Sequence, residues 1–263
     1  MKKIVERCYL GIICVFLYAP IFTLMVLSFN ESKSMAKWGG FSLRWYQEMF
    51  QDEAIREAIW NTLAIALISA VVATLLGTLA CIGIQKMKSS SRAVILMLNN
   101  IPMVNSDIVT GISLMLIFVA FGISLNRNTV LIAHITFCIP YVVLSVLPKM
   151  KQAGKTTYEA ALDLGATPIQ AFIKVVLPEI RPGIVSGFLM AFTMSVDDFI
   201  ITHFTRGAGV NTLSTLIYSQ VKVGIRPSIY ALSTVMFATV LILLIVANFL
   251  PGYREKRTKK AGG

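Results

Sequence analysis

The sequence has 263 residues, of which 56% are hydrophobic and only 14% charged, and its mean hydropathy is +0.73. A soluble domain is roughly a quarter charged, so this composition excludes a water-soluble globular protein and points to an integral membrane protein. The net charge of +11 does not argue for nucleic acid, because Lys and Arg beside apolar runs act as topology determinants and lipid-headgroup contacts.

In chain order, Lys2, Lys3 and Arg7 precede an uncharged run of 22 residues from Cys8 to Phe29. That is enough to cross a bilayer, which needs about 20, and too long for the apolar region of a signal peptide. It is read as an uncleaved first span. Asn30 to Asn61 is polar and aromatic, and its Glu53 to Trp60 end reads as a surface helix. Span two covers 62–84 and is followed by Lys86, Lys88 and Arg92. From Ala93 to Phe121 the chain is apolar but broken by Asn99, Asn100, Pro102, Asn105, Ser106 and Asp107. Two half-spans here would put the basic C-terminus outside, so one span is expected over 105–121, entered by a kinked apolar lead. A turn over 122–128 leads to span four at 129–147, ending at Pro148.

A polar, small-residue hairpin follows at 156–182. Thr156 and Glu159 have the spacing of a capping box, and Gly165 is the residue expected just past a helix end. Thr167 then caps a second helix with Pro168 at its first position, which Leu177-Pro178 and Arg181-Pro182 are expected to end. Span five is expected over 183–204, interrupted by Asp197-Asp198, then a mostly polar loop to Ser228, span six at 229–250 and a basic tail over 253–263.

Six spans put 16 Lys and Arg on one side and 8 on the other. The positive-inside rule then assigns both termini and the hairpin to the cytoplasm. The four cysteines form no CxxC pair, and His134 and His203 are isolated, so they read as packed residues and no metal site is expected. No GxxxxGK[ST] loop is present, so any ATP is expected to be bound by a partner.

The acids left at or near membrane depth are Asp107, Asp197 and Asp198, and no Lys or Arg lies inside a span to neutralise them. An intramembrane carboxylate costs roughly 2.5 to 3.5 kcal/mol on insertion scales, which argues for a watery cavity and a cationic substrate. A competing reading makes Asp197-Asp198 the outer end of a shorter span and Asp107 a helix cap. On a continuous helix at most one of Asp197 and Asp198 faces the lumen. Trp45 and Tyr46 are candidate cation–π partners, or else interface anchors.

The series Glu159-Ala160-Ala161, Gly165, Val175 and Leu177-Pro178 resembles the EAA motif of permease subunits of ABC importers, with Val175 where that family has isoleucine. The resemblance implies a cytoplasmic coupling helix seated in the ATP-hydrolysing subunit. Further segments resemble the polyamine (spermidine/putrescine) branch of these permeases: SFN at Ser28–Asn30, RWY at Arg44–Tyr46, SDIV at Ser106–Val109, HITFCIPYVV at His134–Val143, FTMSVDDF at Phe192–Phe199 and IYSQVKVG at Ile217–Gly224. The branch implies an all-α, six-helix type I importer permease in a bacterial inner membrane. It also implies a heterodimer with a homologous permease, two ATPase subunits that bind ATP and magnesium, and an external polyamine-binding protein, with no cofactor in this chain. By resemblance Trp45, Asp107, Ser195, Asp197 and Asp198 line the substrate path, and Glu159, Ala160, Ala161, Gly165, Leu177 and Pro178 couple it to the ATPase. A permease of the same fold for ferric iron or thiamine, and an ion-driven secondary transporter, remain as alternatives.

Overall fold

The computed structural model describes residues 2–33, 37–153, 155–239 and 241–242. Helix α1 is Lys2–Ser28, α2 Arg44–Gln51, α3 Glu53–Lys86, α4 Ser89–Val104, α5 Asp107–Ala120 and α6 Arg127–Gln152. They are followed by α7 (Lys155–Asp163), α8 (Pro168–Ala171), α9 (Leu177–Asp197), α10 (Ile200–Thr205) and α11 (Leu213–Val223). Residues 227–239 are also helical. Among the described residues the chain is helical with no strand beyond an isolated bridge between Asn30 and Phe41, as a bilayer requires of a backbone whose polar groups must be satisfied within the segment.

Among the described residues four helices are long and apolar enough to cross a membrane: Tyr9–Ser28 within α1, α3, α6, and Pro168–Asp197. A fifth span arises if α4 and α5, bent by 107° at Asn105-Ser106, count as one. The expected sixth span at 229–250 lies partly, and the basic tail over 253–263 wholly, outside the described residues.

Several expected boundaries move. The surface helix expected at Glu53 to Trp60 is the first turns of α3, whose 34 residues extend about 51 Å at about 1.5 Å per residue. The lead into span three is a helix of its own, α4, and α5 has 14 residues. Span four does not stop at Pro148; α6 runs through Pro140 and Pro148 to Gln152, started by an Asn126–Thr129 capping box. Leu177-Pro178 and Arg181-Pro182 do not end a helix either, because the chain continues from Pro168 to Asp197. Proline removes a backbone donor and crowds the carbonyl four residues back. The chain accommodates this with a π segment over Phe172–Val176, in which Leu177 N–H reaches back to the Phe172 carbonyl. Span five ends at Asp197 rather than at residue 204, and the loop expected over 205–228 contains α11.

The described residues of 1–56 and 217–263 form one unit by their contacts, and 57–216 another. The second holds an apolar core of α3, α6 and α9, with Ala73, Cys81, Cys138, Val142, Val146, Ile180 and Ala191 buried. Its closest seam is set by small residues at intervals of four on α9: Gly183, Gly187 and Ala191. A Cβ on Gly183 would lie 3.0 Å from the Ser145 carbonyl oxygen, and one on Gly187 3.3 Å from Val142 Cα. Small side chains thus let the backbones of α6 and α9 approach, the usual route to dispersion contact where lipid removes the hydrophobic driving force.

Candidate functional site

The hairpin is built from its turn outward. Helix α7 begins at Lys155, so Thr156 lies inside its first turn instead of capping it. At its other end Gly165 has φ +87°, the left-handed region that glycine enters without steric cost. Gly165 N–H donates to the Leu162 carbonyl at 2.9 Å and Ala166 N–H to the Ala161 carbonyl at 3.0 Å, the paired closing bonds of a Schellman turn. Thr167 and Gln170 then exchange side-chain and backbone bonds in a capping box, with Pro168 at the first position of α8. Between these ends Glu159, Ala160, Leu164 and Ile169 are exposed, Leu164 at 89% and Ile169 at 72%. Ala161 is half-buried, Leu177 half-buried and Pro178 exposed. A small-sided knuckle with apolar Leu164 and Ile169 and the two acids Glu159 and Asp163 is thus presented outward on a rigid turn.

The acids lie elsewhere, around the break between α9 and α10. Asp107 is the first residue of α5 and Asp197 the last of α9, and both are exposed. The buried Gly111 of α5, one turn beyond Asp107, packs against the start of α10: a Cβ there would lie 3.5 Å from the Ile200 carbonyl oxygen and 3.1 Å from the Phe204 ring. Asp198 behaves differently. Its side chain is 8% exposed and caps α10, accepting from Ile201 N–H at 3.1 Å, Thr202 N–H at 2.8 Å and the Thr202 hydroxyl at 2.8 Å.

The absence of Lys and Arg from the spans does not leave Asp198 unopposed, because His134 Nε2 on α6 lies 3.3 Å from its Oδ2. The same ring places Nε2 2.9 Å from Thr202 Oγ1 and Nδ1 2.6 Å from Ser195 Oγ. Ser195 is buried and sits 3.1 Å from Ser69 Oγ on α3. One connected polar cluster therefore ties α3, α6, α9 and α10. Sequence reading treated His134 as isolated and passed over Ser69 and Thr202. Buried polar groups seek one another, but each of these segments carries several polar residues, and no spacing marks which of them pair.

Trp45 belongs to the unit formed by 1–56 and 217–263. It is 2% exposed, its indole N–H donates to the Asn30 carbonyl, and the Arg44 guanidinium lies over its ring at 5.3 Å from the centroid. Tyr46 bonds Ser28 Oγ at 2.8 Å and packs on Phe29. The Asn30 side chain bonds the backbone of Lys37, Ser32 and Gly39. The SFN and RWY segments singled out in the sequence are thus two halves of one folded loop.

Apolar spans with carboxylates at helix ends, together with an outward-facing small-residue knuckle, fit a helical membrane permease. Residues 73–260 match the family described as binding-protein-dependent transport system inner membrane component, and the chain belongs to that family, with its type I ABC importer permease fold. It is 39% identical to the putrescine transport system permease protein PotI of Escherichia coli K12 over 92% of this chain and 89% of that one. It is 34% identical to the spermidine/putrescine transport system permease protein PotC of the same strain over 97% and 96%. Among solved structures, a bacterial ABC transporter that imports the acidic polysaccharide alginate superposes with a TM-score of 0.72 at 20% identity, covering 94% of this chain and 96% of that one. That likeness concerns the fold, which evidently serves solutes of different charge.

Proposed function

We propose that this chain forms half of the path by which an ATP-driven importer carries polyamines into the cytoplasm. The observation that carries this reading is its 34–39% identity, over nearly the full length, to two permeases named for putrescine and spermidine/putrescine. The charge at the α9–α10 break supports it. Asp107 and Asp197 are exposed at the ends of α5 and α9, α5 packs through Gly111 against α10, which follows Asp197 in the chain, and carboxylates at intervals suit a flexible polycation that has shed water. Ser195 and Asp198, buried or nearly so next to Asp197, support the path from behind, whereas Trp45 is buried within its own loop.

In this reading a homologous permease supplies the other half, and an external binding protein delivers the substrate. Two ATPase subunits bind ATP and magnesium. The hairpin at Glu159 to Pro178 lies in the cytoplasm with both termini and seats in the ATPase through Glu159, Ala160, Ala161 and the Gly165 turn. Closure of the ATPase pair moves α7. The continuous helix from Pro168 to Asp197 connects the knuckle to the acids at its far end, over about 45 Å at about 1.5 Å per residue, so motion at one end reaches the other through a rigid element.

Uptake of labelled spermidine by cells expressing the complete importer, challenged with putrescine, ferric iron or thiamine, tests the assignment. Competition by putrescine alone is expected. Competition by iron or thiamine, or uptake without any associated ATPase, overturns it.

A further inference from the structure

We propose that His134 is a positioning residue that holds Asp198 out of the substrate path, so that Asp197 is the acid this break offers to a polycation; the substrate half of this statement rests on the polyamine reading above. The bonding capacity of Asp198 carries the argument. An ionised carboxylate has about four acceptor sites. Asp198 Oδ1 accepts from Ile201 N–H, and Oδ2 accepts from Thr202 N–H and the Thr202 hydroxyl and faces His134 Nε2 at 3.3 Å. Four protein donors therefore converge on it, and its side chain is 8% exposed.

The proton count fixes the orientation of the histidine. Thr202 has one hydroxyl proton, which goes to the carboxylate because a carboxylate can only accept. Thr202 Oγ1 must then accept from His134, so Nε2 carries a proton and points it at Thr202 and Asp198 together. On the other edge of the ring, Nδ1 meets Ser195 Oγ at 2.6 Å, and Ser195 meets Ser69 at 3.1 Å. The ring is 1% exposed and wedged edge-on against Phe137, so it has one orientation available.

Asp197 is adjacent in sequence and opposite in circumstance. It is exposed, and among the described residues no donor reaches its carboxylate within bonding distance. The break after α9 is what separates the two. Asp198 leaves the helix with ψ 127° and turns inward to cap α10, while Asp197 stays on the last turn of α9. An ammonium group arriving at this point finds one available acid, not two.

The test uses the whole importer with its binding protein in proteoliposomes, comparing His134→Gln, Asp198→Asn, the double variant and Asp197→Asn across a spermidine concentration series. Asp197→Asn should raise the apparent KM about tenfold or more, the scale of a lost charge-assisted bond. His134→Gln and Asp198→Asn should lower the maximal rate and leave KM within about twofold, and the double variant should be no worse than the poorer single one, as for two members of a single unit. A rise in KM for Asp198→Asn equal to that for Asp197→Asn, or additive losses in the double variant, overturns the proposal. If His134→Gln lowers the yield of assembled complex, the two aspartate variants still decide. A second arm does not depend on the solute. A cationic methanethiosulfonate should label Asp197→Cys above the wild-type background and leave Asp198→Cys unlabelled, and equal labelling of the two overturns the geometry. A wild-type complex that moves no polyamine overturns the polyamine reading instead, and the labelling arm still stands.

Discussion

Replacing Gly165 with alanine should weaken the coupling of ATP hydrolysis to transport without disturbing any packing contact. A Cβ at this position meets nothing within 4 Å, so the whole cost is conformational. With φ at +87°, an L-residue other than glycine is penalised by about 1–2 kcal/mol, a shift of about 5- to 30-fold in the population of the turn. The loss falls on the two bonds that close α7, from Gly165 to Leu162 and from Ala166 to Ala161, and so on the angle at which Glu159 and Ala160 are presented. Asparagine visits the left-handed region more readily, so Gly165→Asn should lose less than Gly165→Ala. The assay is the reconstituted importer with its binding protein, measuring spermidine taken up per ATP hydrolysed. A ratio unchanged in Gly165→Ala, or a larger loss for asparagine than for alanine, would refute the reasoning.

Gly183→Leu forces a side chain into Lys149 and the Ser145 carbonyl and should cost about 1–3 kcal/mol, read as a lower melting temperature of the detergent-solubilised complex; an unchanged melt would mean that α6 and α9 are not in close contact. Trp45→Phe removes the indole donor from the Asn30 carbonyl and should cost about 1–3 kcal/mol of stability with an unchanged KM for spermidine. The reverse pattern would make Trp45 a substrate contact. Asp107→Asn should raise the KM for spermidine, with the difference from wild type shrinking as salt rises, because an exposed charge is screened; equal KM values at low salt would remove Asp107 from the path.

Much of the local structure was legible because its causes are local. The Gly165 turn and the Thr167–Pro168 helix start follow from backbone preference and one capping bond, and both stand where the spacing placed them. The prolines were misread as stops at Pro148, Pro178 and Pro182. A proline removes one backbone donor and crowds the carbonyl four residues back; at Pro178 the π segment over Phe172–Val176 takes this up, and α6 carries Pro148 within its last turns. Thr156 also failed as a cap, since α7 starts one residue before it.

Composition and charge placement by themselves determined that the chain is a helical membrane protein with Asp107, Asp197 and Asp198 at or near membrane depth, because hydrophobicity and helix-end preferences depend on each residue and its close neighbours. Only the tertiary structure decided what those acids do. Asp197 and Asp198 are consecutive and chemically identical, yet one is exposed and the other is enclosed by Thr202 and by His134, a residue 64 positions earlier in the chain. Hydrogen bonds between separate helices exist only once those helices pack, and nothing in the periodicity of either segment encodes which partner the other will bring.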